Sequence, residues 1–365
     1  MRAGAHFLTT ALLVACASAT GDGASARAAE WKASYYNPSP ASDDLVLPMP
    51  CGGSMTFRWV TTPHGESELD DTLTELGAET PDFGHLRGRR WEHVSGPFRD
   101  EFGARGFYIG KYEVAEAQLA VLSSDACPTE RFRRGDFRAA AGVAWLEAMA
   151  AAEAYSVWLN RNAGAAAPAV GDAPVIARLP TEPEWEFAAR GGAAVTAAEF
   201  REPVYPTGGA PLPEHEAIGG PRSANGKVQP IGSLKPNPLG LHDMLGNVAE
   251  LTLEPFRLVR QGRLHGRVGG YVKRGADANT EESRATAAAR QELRFLDPTS
   301  GEPLRDKYVG FRLVLSTVAI DGSVAPEDYA RAQAAAAAPD RGVVAGEREA
   351  QALAALESAA EIADP

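Results

Sequence analysis

Between residues 200 and 240 the chain places glycine and proline so densely that neither a helical nor a strand period survives. Such a stretch cannot satisfy its backbone groups in a ladder of its own, so its neighbours must hold it. Regular elements must therefore lie on either side of a long irregular middle. No repeat of about 20–50 residues runs through the sequence. The 365 residues allow one large domain or two ordinary ones.

The flanks carry readable elements. LVLPMPCGGSMTFRWV (45–60) reads as two strands, from its β-branched and aromatic alternation, with a turn at Cys51, Gly52 and Gly53. Residues 61–90 are polar, acidic first (ESELDD) and basic later (HLRGRR). GFYIGKYEVAEAQLAVL (106–122) gives a strand through Tyr112 and a helix from near Ala115. In VAWLEAMAAAEAYSVWLNRN (143–162), Trp145, Met149, Ala152, Tyr155 and Leu159 recur at helical spacing and make one apolar face. RLPTEPEWEFAARGG (178–192) is a second helix with its ends written in. Thr181 and Glu184 form a Thr-x-x-Glu capping box, Pro183 is tolerated in the first turn, and Gly191 supplies a left-handed stop. Trp185 and Ala188 then face the core. VGFRLVLS (309–316) reads as a closing strand, and after Ser316 Ala-rich helical segments follow, split by Pro339 and Gly342.

The N-terminus reads as an export signal: Arg2, then the apolar run AHFLTTALLVA, too short to span a membrane comfortably. Two cleavage readings compete. LVAC leaves Cys16 as a lipidated first residue, and GASARAAE offers ordinary cleavage near Ala26 or Ala29. Both place the protein outside the cytoplasm, in the periplasm or as an outer-envelope lipoprotein, with membrane attachment only through Cys16. Cys51 and Cys127 then remain, either disulfide-bonded or as two buried free thiols. The absence of CxxC argues against a thioredoxin-like role or a zinc ribbon. The net charge of −12 argues against nonspecific nucleic-acid binding. Within this acidic chain RLVRQGRLHGRVGGYVKR (257–274) is basic, either a solvated hairpin or a face for an anionic partner. His85 and His93 flank a basic segment and read as surface residues.

Four stretches occur in order: GFYIGKYEVAEAQLAVL, RLPTEPEWEFAARGG, PNPLGLHDMLGNVAELT, and KRGAD, AAAR and VGFRLV near the end. Together they resemble the formylglycine-generating enzyme and sulfatase-modifying factor family, over roughly residues 50–316. The resemblance implies an α+β, C-type-lectin-like fold with much irregular chain. The implied organisation is a signal peptide over 1–15 (or to about 29), a tether over 16–45, the family domain over 46–316 and an Ala-rich helical tail over 317–365. The resemblance also implies a calcium ion, held by side-chain oxygens of Asn247 and Glu250 and by backbone carbonyls such as that of Val248. The alternative is a tight turn in which Asn247 and Glu250 bond backbone groups. A second family calcium site would begin at Ala224-Asn225, but its later acidic part falls in an insertion this chain lacks.

The family's oxidases carry a copper-binding cysteine pair on the segment after Arg-Gly-Gly-Ser. Here that segment is RGADANTEESRATAAAR (274–290) and holds no cysteine, so copper is not expected. Arg274, Asp277, Asn279 and Arg284 could instead line a polar groove, with Glu281 and Glu282 nearby; solvated turns are the plainer reading. No phosphate-cradling loop, HExxH or Gly-x-Ser-x-Gly offers replacement chemistry. The sequence therefore points to an exported, non-enzymatic binding protein of the cell envelope with a protein partner. It is similar to the accessory proteins of type VI secretion that share this scaffold. The alternative is a divergent oxidase or another modifying enzyme at the same groove.

Overall fold

The computed structural model describes residues 30–62, 73–79, 83–124, 126–320 and 324–336. The export signal, Cys16, the acidic run ESELDD and the tail beyond 336 lie outside the described residues. Among those residues the strands form three sheets. The central sheet runs in the order Leu45–Pro48, Ser54–Thr61, Arg105–Gly110, Val314–Ser316, Ile176–Arg178, all antiparallel, with Phe98–Arg99 also paired to Arg105–Gly110. A second sheet is built on the long hairpin of Ala249–Arg260 and Arg263–Arg274. Arg290–Leu293 flanks it on one side, and Val309–Gly310 lies parallel on the other. A small ribbon pairs Leu73–Leu76 with Arg90–His93.

The helices form as their sequences dictate. Trp145–Asn162 buries Ala148, Ala151, Ala152, Tyr155 and Leu159, while Trp145 and Met149 are half-buried at the edge of the same core. Glu182–Ala189 carries the capping box: Thr181 Oγ1 accepts from Glu184 N at 3.2 Å, and Glu184 Oε2 accepts from Thr181 N at 2.7 Å. Gly191 follows at φ 95°, as a left-handed stop requires. Trp185 and Ala188 are fully buried, and so are Glu182 and Glu186 on the same short helix.

Two expectations are redrawn. The closing strand is split: residues 309 and 310 pair with the hairpin and residues 314–316 with the central sheet. Between them the chain crosses from one sheet to the other, and Arg312 turns its guanidinium inward. From Trp31 on, the tether is part of the domain. Trp31 packs on Phe132 and Phe137, and Asp44 forms a buried ion pair with Lys111 at 2.7 Å. Of the tail, Pro326–Ala336 is helical.

The irregular middle is held as its composition requires. Its backbone bonds go outward, Ile231 N to Phe137 O and Gly219 N to Thr280 O among them. Cys51 and Cys127, 76 residues apart, are joined as a disulfide that ties the first turn to the segment after the helix Glu116–Leu122.

Candidate functional site

The segment GLHDMLGNVAE (240–250) lies where the sheets and the irregular middle meet. Leu241, Met244 and Leu245 are buried and anchor it. Asp243 and Asn247 take left-handed φ of 52° and 58°, a conformation their short polar side chains tolerate better than most. The Asn247 peptide joins two neighbours, its N–H donating to Ala217 O at 2.7 Å and its carbonyl accepting from Ala278 N at 3.0 Å. Its side-chain oxygen accepts from Gln229 N at 2.8 Å, and its amide donates to Glu113 Oε1 at 3.0 Å.

Glu250 is gripped by Arg312. Nε donates to Oε2 at 2.7 Å and Nη2 to Oε1 at 2.6 Å, a two-pronged pair with both side chains at most 1% exposed. Arg312 also donates to Gly110 O at 2.9 Å and His242 O at 3.0 Å, so one guanidinium joins the central sheet, the loop and the hairpin. Trp185 Nε1 donates to Glu250 Oε2 at 2.8 Å. Arg274 lies over the same indole, its guanidinium 5.1 Å from the ring centroid.

Trp185 thus touches a member of each of two buried groups of charged side chains. On the Arg274 side, two carboxylates meet four guanidiniums. Glu182 takes Arg274 at 2.8 Å, Arg290 at 2.6 Å and Arg90 at 3.0 Å; Glu186 takes Arg274 at 2.7 Å and Arg190 at 2.7 Å. Burial pushes both carboxyls up, but the surrounding arginines outweigh it and hold both below the ordinary range. On the Glu250 side, Glu113, Asp243 and Glu216 are buried, and the positive charge of Arg312 acts on all three. Burial and the charge of Asp243 push Glu113 and Glu216 well up, and burial pushes Asp243 up to about 6. Among the described residues, Glu113 Oε2 and Asp243 Oδ2 have no hydrogen-bond partner.

The side chains expected to hold calcium do not fit that task in this arrangement. The Asn247 oxygen serves Gln229, and both Glu250 oxygens serve Arg312, a cation already in place. The free carboxylate oxygens belong to Glu113 and Asp243 instead, and among the described residues no three His, Cys, Asp or Glu side chains converge as a metal site. Val248 is buried against Phe137 and Ile231 in a small apolar cluster.

The groove set is not brought together. Arg274 is fully buried in its ion pairs, because the adjacent Glu182 and Glu186 need its charge. Asp277 closes its own turn, accepting from Asn279 N at 2.9 Å and Thr280 Oγ1 at 2.9 Å. Asn279 and Arg284 are exposed. His85 and His93 are exposed, as expected. Sequence reasoning missed the two charged compartments. Their one signal was two glutamates four apart, Glu182 and Glu186, on a helix whose other residues read as core.

A family model for the sulfatase-modifying factor enzyme 1-like domain matches residues 53–317. The chain belongs to that family. The inactive C-alpha-formylglycine-generating enzyme 2 of Bos taurus is 37% identical over 93 residues, 23% of this chain and 29% of the relative. Its Mus musculus counterpart is 30% identical over 146 residues, 35% of this chain and 45% of the relative. This chain therefore spans less than half the length of these curated relatives. The solved Treponema denticola variable protein 1 is similar in fold, with a TM-score of 0.53 at 20% identity over 75% of this chain and 99% of that one. The mixed helix-and-sheet architecture is the C-type-lectin-like fold of the sulfatase-modifying factor family, and the curated relatives are inactive members by name.

Proposed function

We propose that this sulfatase-modifying-factor domain is non-catalytic and works by binding another protein in the cell envelope. The observation that carries the reading is the segment 274–290. It holds no cysteine where the family's oxidases carry a thiol pair, and its first residue is locked into ion pairs with Glu182 and Glu186. Cys51 and Cys127 are bonded to each other. The charged groups packed around 240–250, Glu113, Glu216, Asp243, Glu250 and Arg312, are buried in the interior rather than set on an open face. Export rests on the N-terminal signal, with the lipoprotein form depending on Cys16. A role beside a type VI secretion apparatus rests on analogy with exported proteins of the same scaffold.

Two measurements test the reading. Incubation of the purified chain with copper(I) and a cysteine-containing peptide is expected to leave the peptide unchanged; its oxidation would establish the enzyme. A crosslinked pull-down of the tagged protein from its own cell envelope is expected to return the same protein in replicate and nothing specific with tag alone.

A further inference from the structure

The long hairpin extends past its strand partners in the sheet as a two-stranded ribbon. Its neighbours stop early, since Arg290–Leu293 pairs only with residues 271–274 and Val309–Gly310 only with residues 249 and 250. Farther out the register is Val259 opposite Leu264 and Arg260 opposite Arg263. Alternate residues of a strand point to opposite faces. Leu258, Arg260, Arg263 and His265 therefore share one face, and Val259 and Leu264 the other. Val259 is buried and Leu264 half-buried, whereas all four residues of the first face are exposed. Arg267, beyond a bulge, is exposed as well. Among the described residues, Arg260, Arg263 and Arg267 meet no carboxylate.

The support is stiff. Gln261 and Gly262 turn the chain at φ 48° and 74°, the tight hairpin turn that matches strand twist. Gly262 is pinned to the small ribbon, its carbonyl accepting from Trp91 N at 3.4 Å. A shallow concavity lined by Arg260, Arg263 and His265 opens at the tip.

A chain of net charge −12 that keeps three uncompensated arginines on one exposed ribbon presents a local field opposite to the rest of its surface. The partner's negative charge must then be short and local. Duplex nucleic acid carries a charge every ~1.7 Å and would run from the ribbon onto the acidic body. A flat anionic membrane would meet that body too. A strand-like peptide repeats its same-face side chains every ~6.8 Å, matching the ribbon's own alternation. We propose that this face docks an extended acidic segment of a protein partner, with carboxylates on Arg260, Arg263 and Arg267 and an apolar residue on Leu258. The proposal rests on the binding-protein reading above and names its surface.

The test is fluorescence anisotropy of a labelled oligoglutamate peptide with the full chain, compared with Arg260→Glu/Arg263→Glu/Arg267→Glu. Reversal is expected to weaken binding by about tenfold or more, and raising salt from low to physiological should weaken the native complex. The control Arg222→Glu/Arg284→Glu, on exposed arginines elsewhere, should bind nearly as the native chain does. Equal binding by the triple variant, or an equal loss in the control, overturns the proposal. So does duplex DNA or phosphatidylglycerol vesicles bound as tightly as the peptide. An unchanged melting temperature shows that the triple variant folds. A pull-down partner that still binds the triple variant sinks this inference alone; oxidation of the cysteine peptide would sink the underlying reading.

Discussion

Replacing Arg312 with methionine tests the central ion pair most directly. The side chain is fully buried and donates to Glu250 through two nitrogens, at 2.7 and 2.6 Å, and to the carbonyls of Gly110 and His242. Methionine fills much of the volume but leaves the Glu250 carboxylate in a dry site that also holds Asp243 and Glu113. Removing one partner of a buried pair destabilises by about 3–5 kcal/mol, because the other charge is left uncompensated. In a domain of this size that lowers the melting temperature by roughly 6–15 °C. Glu250→Gln in the same chain removes the stranded charge while keeping an acceptor for Trp185 Nε1. The double variant should therefore recover about 1–3 kcal/mol of the loss. Urea unfolding of the wild type, both single variants and the double variant at neutral pH supplies the cycle. A single variant within about 0.5 kcal/mol of wild type, or strictly additive changes, would refute the account of Arg312 as the cation that compensates this compartment.

Other outcomes follow from the same geometry. Asp243 is raised to about 6 in the folded chain, so its contribution is fully present below the unfolded carboxylate pKa and lost as pH rises through about 6. Asp243→Asn should flatten the fall in stability across that window, measured by thermal melts at stepped pH; an unchanged profile would remove the assignment. Glu182 and Glu186 are depressed, so their contribution is present above the unfolded value and lost as pH falls toward their lowered values; Glu186→Gln should make acid unfolding begin from a lower plateau. Reducing the disulfide, which spans 76 residues, should lower stability by about 2–5 kcal/mol, read by denaturant titration with and without reductant. Thr181→Ala removes the hydroxyl half of the capping box and should cost about 1 kcal/mol; no change would mean that the Glu184 half suffices.

Local chemistry decided a great deal from sequence alone. The capping box at Thr181 and Glu184, the stop at Gly191, the strand-turn-strand through Cys51 and the basic hairpin all stand where their residues require, because each depends on neighbours within a few positions. Motif order identified the family. Only the tertiary structure decided what the charged residues do. Arg274 reads as a surface or groove cation, yet it lies buried between Glu182 and Glu186, which are 92 and 88 residues away in sequence. Asn247 and Glu250 read as calcium ligands, yet their partners are Gln229, Glu113 and Arg312. The strand at 309–316 divides because Arg312 must reach Glu250 from between two sheets. A backbone preference is set by adjacent residues and can be read in order along the chain. The role of a charge is set by whichever opposite charge the fold brings beside it and by the water that burial removes, and neither is written next to it in the sequence.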